Sequence, residues 1–438
     1  MSYIDWLEKR YYAYRKYIPA RVLYHPEYFR LLRQLGAGAE QREQLRTRQL
    51  RHILSSACTH VPFYRSTVRL SAAELAHEAP DELLARFPYL SKAEVMSRQR
   101  DFLDERLNPR FLNYVTSGGS SGQGIGLWRN KRLADIEKAF LIDCWGKSGF
   151  SFDKSNYLRI GADARRLAHE APSRVMGNRL MLSPYHLAPQ HRNQIVADLN
   201  AYRPDYVHAY PSSAAALAEI VSAGELDFKV KAVMLVSEPA TLQQLAAIEG
   251  LFRCPISISY GQSERTNLAF ASYHGGVFQP YRFEPLYAVT ENRLQGETAE
   301  IVGTSLWNDV MPLIRYCTND FGLVRADGVC EKLEGRDQEF LIDRFGNRIP
   351  GLSIVIDEVT WDFVRLYQVR QQQAGAIRLA VVGKHGALSG EQREFVLGAQ
   401  LKRWGSFFDI DLEEVADIPL APNGKRKLVD TTGRRLPA

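Results

Sequence analysis

The chain has 438 residues, of which 45% are hydrophobic and 24% charged, the balance of an ordinary globular protein of two or three domains. Its net charge of +6 is small for this length, so nucleic acid is not an expected partner. No segment reaches the roughly 18 apolar residues of a membrane span. The five cysteines are scattered without metal-ligand spacing, so we expect reduced thiols in a cytoplasmic protein.

The first hundred residues have a helical pattern. Residues 40–57 carry apolar side chains at mostly helical spacing, and Pro62 ends that run because proline cannot donate the helical hydrogen bond. The N-terminal segment has apolar residues at helical spacing near basic ones, namely Ile4, Leu7, Tyr11 and Tyr14. This favours docking of the segment on the protein body, with a weak membrane or complex association as the alternative.

A glycine- and serine-rich stretch, TSGGSSGQG, follows a predicted strand and precedes a predicted helix. Glycines let the backbone approach an anion closely and hydroxyl groups add donors, so this loop is typical of a phosphate site. It lacks the Gly-Lys-Ser/Thr ending of a Walker loop. A flexible surface linker is the alternative. The candidate phosphate-binding residues are Thr116, Ser117, Gly118, Gly119, Ser120, Ser121 and Gly122.

Between about residue 105 and residue 330, short apolar runs alternate with amphipathic stretches, as in KAVMLVSEP, ATLQQLAAIEGLF and CPISISYGQSE. This rhythm predicts a largely parallel sheet covered by helices, with ligands at the carboxyl ends of the strands. Tyr260 and Gly261 at one such end can hold a flat base. Glu264 can bind Mg²⁺ through oxygen, and an ordinary surface position is the alternative for it.

Two further segments carry isolated charged groups. Asp320 in RYCTNDFG can accept both hydroxyls of a ribose, or it can simply close an Asx turn. After about residue 335, short strand candidates and one helix follow each other. This pattern predicts a compact α+β module, with Arg336 and Asp337 at its boundary. Near the C-terminus, the turn in APNGKRK presents Lys425, a compact cation suited to phosphate oxygens, and a solvated basic tail is the alternative.

The order of these motifs resembles the adenylate-forming superfamily of acyl-CoA synthetases and adenylation domains. A Thr-Ser-Gly-rich loop is followed by Tyr-Gly-x-Ser-Glu, Arg-Tyr-x-Thr-x-Asp, Gly-Arg-Asp and a late Gly-Lys. The stretches LRHILSSACTHVPFYRS and FPYLSKAEVM are similar to the phenylacetate–CoA ligase branch. RPDYVHAYPSSAAALA, LVSEPAT and LYQVRQQQ are more similar to its CapK-like capsule-biosynthesis subgroup.

The resemblance implies an α/β protein. Its large N-terminal domain of mixed sheets covered by helices comprises a helical part, 1–100, and a nucleotide- and acyl-binding core, 101–335. A small mobile α+β lid domain follows at 336–438. The implied adenine-site residues are Ser237, Glu238, Pro239, Tyr260 and Gly261. Asp320 would bind the ribose with Arg336 nearby, Asp337 would be the hinge, and Ser263, Glu264 and Lys425 would be catalytic, with Glu264 holding Mg²⁺.

Several positions depart from the pattern of the superfamily. Ile125 and Gly126 stand where many relatives have a loop lysine, and Ser263 and Asn319 replace a threonine and a glycine. Some members of the branch have a cysteine-based zinc site after the Glu motif. The corresponding stretch here has no cysteine, so we expect no such metal and place His274 at the surface or a pocket rim.

The implied function is ATP- and Mg²⁺-dependent activation of a carboxylic acid as acyl-AMP, followed by transfer to CoA or to an amine on a sugar or amino acid. No general base is expected, because a carboxylate is already ionised at neutral pH. The alternatives are an adenylyltransferase that leaves AMP on its substrate, and an inactive nucleotide-binding scaffold in a polysaccharide-assembly complex. A homodimer is left open.

The acyl pocket is the least defined part of the expected site. The strand ends that face it offer aromatic and hydroxyl groups, which suit a small or aromatic acid, and a core position for each is the alternative. The candidate residues are His208, Tyr210, Ser212, Ser213 and Ser259.

Overall fold

The structure is a computed structural model. It describes residues 11–12, 14–15, 17–116, 125–161, 164, 170–295, 298–333, 335–336, 340–344, 346, 348–350, 354, 358–419, 427 and 429–432. The chain divides into two compact units, one of residues 1–318 and 323–331 and one of residues 319–322 and 332–438. Among the described residues, no helix has both the length and the apolar character needed to cross a membrane.

The first unit begins with helices, as the sequence predicts. Their bounds are α1 Ala20–Leu23, α2 Pro26–Leu35, α3 Ala39–His60, α4 Pro62–Thr67, α5 Ala72–His77, α6 Pro80–Ala85 and α7 Lys92–Ser97. Helix α3 buries Leu50, Ile53, Leu54 and Ala57, the i, i+3, i+4, i+7 spacing of one helical face. Pro62 opens α4 at its first position, where the missing N–H costs no hydrogen bond.

The segment before α1 contacts the body of the first unit. The guanidinium of Arg179 lies 3.9 Å from the ring centroid of Tyr12, and Arg15 forms a 2.8 Å ion pair with Asp153. Tyr14 is 58% exposed, so part of the aromatic surface faces solvent. Ile4 and Leu7 lie outside the described residues.

A hairpin leads into the central part of the first unit. Strand β1 (Asn113–Thr116) pairs antiparallel with β2 (Gly126–Arg129), and Asn130 then caps helix α8 (Lys131–Trp145) by accepting the N–H of Leu133. The glycine-rich stretch connects the two strands in sequence, and its residues 117–124 lie outside the described part of the chain.

A nine-stranded sheet forms the centre of the first unit. Its strands and helices are β3 Tyr157–Ile160, β4 Ser173–Met176, β5 Arg179–Leu182, α9 Arg192–Tyr202, β6 Tyr206–Ala209, α10 Pro211–Ile220, β7 Ala232–Leu235, α11 Leu242–Phe252, β8 Ile256–Gly261, β9 Leu268–His274, β10 Val277–Phe283 and, after an intervening sheet, β14 Val329–Cys330. The spatial order is β14-β10-β9-β8-β7-β6-β3-β5-β4.

This sheet is less parallel than the sequence predicts. Strands β8, β7, β6, β3 and β5 run parallel, but β9, β10 and β14 on one side and β4 on the other are antiparallel. On the β9 side the reason is local, because the short connection from Gly261 to Leu268 folds β9 back against β8, and Gly275 and Gly276, with positive φ, close the hairpin between β9 and β10.

A smaller sheet begins in the first unit. Strand β11 (Ala288–Gln295) pairs antiparallel with β12 (Thr298–Ser305), and β13 (Tyr316–Phe321) follows in the sheet order, with residues 316–318 in the first unit and 319–321 in the second. Trp307, which follows β12, is almost fully buried in a core shared with the N-terminal helices and α8. The same core includes Tyr316, the first residue of β13.

The second unit is a small α+β module. Its elements are β15 Gly335–Arg336, β16 Phe340–Ile342, β17 Arg348–Pro350, β18 Val364–Gln373, β19 Ala376–Gly383, α12 Gly390–Trp404, β20 Asp409–Glu414 and β21 Val429–Asp430. Strands β20, β19, β18 and β21 form one sheet, and Ser389 caps α12 through a capping box. A mixed α/β protein with a separate smaller C-terminal domain is therefore confirmed, whereas the predicted limits 1–100, 101–335 and 336–438 stay predictions.

Candidate functional site

Three neighbouring parallel strands of the large sheet end at the same edge. Ala209 of β6 aligns with Leu235 of β7, and Leu235 aligns with Ile258 of β8. The segments that follow β6 and β7 begin at Tyr210 and Val236, and β8 continues past Ile258 through Tyr260 to Gly261. Carboxyl ends of parallel strands form the usual ligand crevice of an open α/β sheet, so the structure brings three of the sequence-predicted segments to one edge.

Glu238 links two of these segments. Its Oε2 accepts the backbone N–H of Ser212 at 3.1 Å, at the start of α10, where a helix N-terminus favours negative charge. Ser237, just before it, adopts a φ of 70°, an uncommon conformation for a residue with a side chain. Ser237 and Pro239 are exposed.

A buried polar network holds the turn between β8 and β9. The Gln262 side chain donates to Asn267 Oδ1 at 3.0 Å and accepts the Asn267 N–H at 3.2 Å. Asn267 Nδ2 donates to Thr290 Oγ1 on β11 at 2.9 Å. Both amide side chains are buried, so the network fixes the turn firmly and leaves Ser263 exposed at its tip.

Glu264 lies on this turn and is oriented by a distant strand. The Tyr316 hydroxyl donates to Glu264 Oε1 at 3.2 Å, and Tyr316 itself is 1% exposed. Tyr316 belongs to the stretch that precedes Asp320 in sequence, so two of the predicted motifs meet within the first unit.

Two arginines lie next to Glu264. Arg265 forms a 2.7 Å ion pair with Glu137 of α8, and its own φ is 57°. Burial, together with repulsion from Arg265, lowers the pKa of Arg129 on β2 to about 10, and the attraction of Glu137 and Glu264 only partly opposes this. Arg129 therefore remains charged at neutral pH in a setting that does not fully offset its charge.

The donor set at Glu264 is compatible with magnesium. One carboxylate oxygen accepts from Tyr316, and the other is available as a hard oxygen ligand. No group of three or more histidine, cysteine or acidic side chains in the described part of the chain forms a ready-made metal cage. Mg²⁺ commonly binds through one or two carboxylates together with substrate phosphates and water, so this single carboxylate fits such an ion.

The residues expected to line an acyl pocket are mostly internal. His208 is enclosed by aromatic rings, with Trp145 at a centroid distance of 5.3 Å, and burial together with Arg159 and Arg179 holds its pKa well below the ordinary value. Ser213 is buried, and Ser259 Oγ donates to the Leu235 carbonyl at 3.3 Å. A role for these residues in acid binding stays a prediction.

Tyr210 and Tyr260 are placed differently. Tyr210 is buried beneath Arg159, whose guanidinium lies 5.7 Å from the ring centroid. Tyr260 is partly exposed and packs against Phe283 at a centroid distance of 5.6 Å. Gly261 ends β8 with room around its Cα, the nearest atoms to an added Cβ being 3.6 Å away. His274 is exposed, with its Nδ1 3.0 Å from Glu249 Oε1.

In the second unit, Asp320 and Arg336 lie directly opposite each other on the antiparallel strands β13 and β15. Asp320 is 6% exposed. Asn319 has a φ of 56°, a left-handed conformation that asparagine adopts more readily than other residues with side chains. This explains physically why asparagine can stand where the resemblance expects glycine.

Several predicted residues fall outside the described part of the chain. They are Ser117, Gly118, Gly119, Ser120, Ser121, Gly122, Asp337 and Lys425. Thr116 ends β1, which places the start of the glycine-rich stretch at the end of the hairpin strand. The roles of these residues stay predictions.

Solved structures give the comparison that decides the fold. The 2-hydroxyisobutyryl-CoA ligase in the postadenylation state, in complex with R3-HIB-AMP, aligns over 91% of both chains with a TM-score of 0.61 and 17% identity. The chain has the fold of an adenylate-forming ligase. The anthranilate CoA ligase AuaEII in complex with anthranoyl-AMP aligns over 72% of this chain and 64% of its own, with a TM-score of 0.51 and 14% identity.

An ATP-bound RpMatB-BxBclM chimera is a further structure with this ligase fold. It aligns over 72% of this chain and 66% of its own, with a TM-score of 0.52 and 15% identity. Searches against protein-family models and against curated protein sequences gave no match. The similarity is therefore one of fold, carried by structure and not by sequence.

Within this ligase fold, sequence reasoning missed four residues that surround Glu264. Tyr316 and Arg265 lie inside motifs that the sequence singled out, but neither has a role there. Arg129 and Glu137 lie in a strand and a helix with ordinary patterns. Only the positive φ of Arg265 and the burial of these charges reveal them, and neither property is visible in a sequence.

Proposed function

We propose that this protein uses ATP to activate a carboxylic acid as an acyl adenylate and then transfers the acyl group to a thiol or an amine. One observation carries the proposal. In a chain with an adenylate-forming ligase fold, Glu264 stands on a rigid turn next to the carboxyl edge of the parallel strands and is oriented by Tyr316. A preorganised carboxylate at this edge suits a metal-bound polyphosphate.

The chemistry consists of two substitutions. An oxygen of the acid attacks the α-phosphorus of ATP, a P–O bond to the β-phosphate breaks, and pyrophosphate leaves with the electron pair. The acceptor then attacks the acyl carbonyl, AMP leaves, and the proton of the acceptor passes to solvent. Neither step needs a covalent bond to the protein, so catalysis rests on positioning and on offsetting charge.

In this proposal each motif binds one part of the nucleotide. The glycine-rich stretch from Thr116 to Gly122 surrounds the terminal phosphates, and Ser237, Glu238, Pro239 and Tyr260 line the adenine. Asp320 accepts the ribose hydroxyls, with Arg336 beside it.

Magnesium and the small domain complete the proposed machinery. Glu264 holds Mg²⁺, an ion that neutralises phosphate charge when bound. Lys425 adds a second cation during adenylation. Asp337 is the hinge about which the second unit turns before acyl transfer, a conformational step of the kind that often limits turnover.

The finer assignment rests on sequence resemblance alone. We place the protein in the phenylacetate–CoA ligase-like branch, in the CapK-like subgroup, which suggests a role in surface-polysaccharide biosynthesis. CoA is one acceptor, and an amine on a sugar or amino acid is the other.

A hydroxylamine-trapping screen tests the proposal. The purified full-length chain is incubated with ATP, Mg²⁺, hydroxylamine and a panel of carboxylic acids, and hydroxamate and pyrophosphate are measured together. We expect both products with one chemical class of acid. Analysis of AMP in the absence of hydroxylamine distinguishes free AMP, as expected for a ligase, from AMP attached to product, as expected for an adenylyltransferase.

Two variants make the screen specific. Glu264→Gln removes the charge of the proposed metal ligand and is expected to lower both products. His274→Ala, on the exposed end of β9, is the matched control and leaves them unchanged. If the wild-type protein binds neither ATP nor AMP and yields no hydroxamate with any acid in a broad panel, the proposal is wrong.

A further inference from the structure

Two arginine side chains near Glu264 bury hydrogen-bond donors that are not used. Nη2 of Arg129 and Nη1 of Arg265 are inaccessible to solvent and have no hydrogen-bond partner in the part of the chain that the structure describes. A buried polar atom without a partner is uncommon in folded proteins, and a buried charged one is costlier still. Two such atoms on neighbouring guanidinium groups therefore call for a ligand.

Neither of the two nearby carboxylates, Glu137 and Glu264, binds the unused donors. Glu137 binds Arg265 through Nη2 at 2.7 Å, which leaves Nη1 as the unpaired arm of the fork. Glu264 accepts the Tyr316 hydroxyl at 3.2 Å. The hydroxyl group of the remaining neighbour, Tyr287, is fully buried and stays neutral, because burial raises its pKa far above the ordinary value.

The backbone conformation of Arg265 is uncommon, and it occurs in the turn that the Arg265 N–H closes by donating to the Gln262 carbonyl at 3.1 Å. Its φ of 57° is unfavourable for a residue with a Cβ, and it ends no helix, unlike Arg203 and Arg253, whose positive φ values cap α9 and α11. Strained residues of this kind concentrate at binding sites, where the surrounding structure compensates for the strain.

We propose that Arg129 and Arg265 together bind an oxyanion carried by one of the reactants. A carboxylate or a phosphate group accepts from two guanidinium groups at once, which satisfies both unused donors and offsets the mutual repulsion of the cations. The oxyanion belongs either to the polyphosphate of the nucleotide or to a second acidic group on the carboxylic acid. This inference rests on the proposed function only for the identity of the reactants.

Two variants remove the unused donors with little other change. Arg129→Met keeps an unbranched apolar stem without the charge of the guanidinium. Arg265→Lys keeps the ion pair with Glu137 but loses the second arm of the fork. Arg132→Met is the matched control, because Arg132 is a partly buried arginine whose guanidinium already binds Asp309 at 3.1 Å.

The experiment has two arms, both with the full-length chain. The first measures binding of pyrophosphate and of ATP with Mg²⁺ by calorimetry, in the absence of any acid. The second measures kcat/KM for hydroxamate formation with acids that carry one carboxylate and with acids that carry a second carboxylate or a phosphate. In addition to these two arms, the melting temperature of each variant is measured without ligand.

If the oxyanion is a nucleotide phosphate, both variants weaken binding of pyrophosphate and ATP by about tenfold or more, the effect of losing a charge-assisted hydrogen bond. If it belongs to the acid, nucleotide binding is unchanged, the wild type prefers dianionic acids, and kcat/KM for these falls by about tenfold in both variants. In either case Arg129→Met melts no lower than the wild type, because it removes an uncompensated buried charge.

Two results overturn the inference. One is normal binding and normal kcat/KM with every acid in both variants. The other is a lower melting temperature for Arg129→Met together with normal nucleotide binding and normal kcat/KM, which would assign Arg129 to stability alone. If the wild type makes hydroxamate but the variants do so equally well, the proposed function stands and only this inference fails. If the wild type activates no acid but binds pyrophosphate, and both variants lose that binding, this inference stands and the proposed function fails.

Discussion

The hydroxyl of Tyr316 donates a hydrogen bond to Oε1 of Glu264, and the two residues are 52 positions apart in the chain. Tyr316 also forms a parallel bridge with Leu90, so its backbone is tied to the N-terminal helical part of the first unit. The bond couples the proposed metal ligand to a strand, which limits the number of orientations the carboxylate can adopt.

Removal of this bond should impair catalysis more than folding. Tyr316→Phe keeps the buried ring and leaves Glu264 free to rotate, and hydrogen bonds to charged groups contribute about 1.5–3 kcal/mol. We expect ATP–pyrophosphate exchange to slow by roughly tenfold, with a small change in the free energy of unfolding. Tyr367→Phe, at a buried tyrosine of the second unit, is the control. An unchanged exchange rate in Tyr316→Phe would show that Glu264 does not need this partner.

A close backbone contact supports the same turn. A Cβ added at Gly303 of β12 would overlap the Asn267 side chain and the Thr266 carbonyl. Gly303→Ala should therefore push the turn away from β12, cost about 1–3 kcal/mol of unfolding free energy and reduce adenylation. Urea denaturation and pyrophosphate exchange measure the two effects.

Gly250 provides the matched substitution, because an added Cβ on this residue of α11 meets nothing within 4 Å. Gly250→Ala should stabilise the protein by about 0.5–1 kcal/mol through better helix propensity and leave exchange unchanged. Equal effects of the two substitutions would contradict the close contact at Gly303.

The imidazole of His208, enclosed by aromatic rings, should make the protein less stable in acid. Its folded-state pKa is depressed, mainly by burial, so the folded protein keeps it neutral while the unfolded chain takes up a proton below about pH 6.5. The contribution of neutral His208 to the free energy of unfolding is therefore fully present above that pH. It falls by up to about 1.4 kcal/mol per pH unit as the pH decreases below it.

His208→Phe should remove this part of the acid sensitivity, because a phenyl ring fits among the surrounding aromatic side chains. Denaturant titrations between pH 7.5 and 5 measure the slope for both proteins. The acid preference measured by hydroxamate formation separates the two roles considered for His208: an unchanged preference indicates a core position, and an altered one indicates the acyl pocket.

Lys425 should be required for adenylation alone. Lys425→Ala should slow acyl-adenylate formation by on the order of 10²–10³, the usual effect of losing one preorganised electrostatic donor. The reaction of a supplied acyl adenylate should continue. Lys427, two residues away, serves as the control, because its carbonyl accepts from Gln368 and Lys427→Ala preserves that bond. Equal loss of both half-reactions in Lys425→Ala would indicate misfolding or a different role.

Much of this protein could be predicted because the relevant information is local. The helical spacing around Leu50 and Leu54, the strand–helix rhythm that ends at Tyr260, and the tolerance of Asn319 for positive φ depend on residue type and near neighbours. Local patterning determines which elements form, since hydrophobic period and turn chemistry act over a few residues.

The tertiary structure decided what depends on partners distant in the chain. It made the sheet edges antiparallel, enclosed His208 in aromatic rings, joined Tyr316 to Glu264, and left Arg129 and Arg265 buried with unused donors. Burial, repulsion and hydrogen-bond satisfaction are properties of a three-dimensional neighbourhood, and residues 129, 137 and 265 become neighbours only after the hairpin, α8 and the β8–β9 turn have packed together.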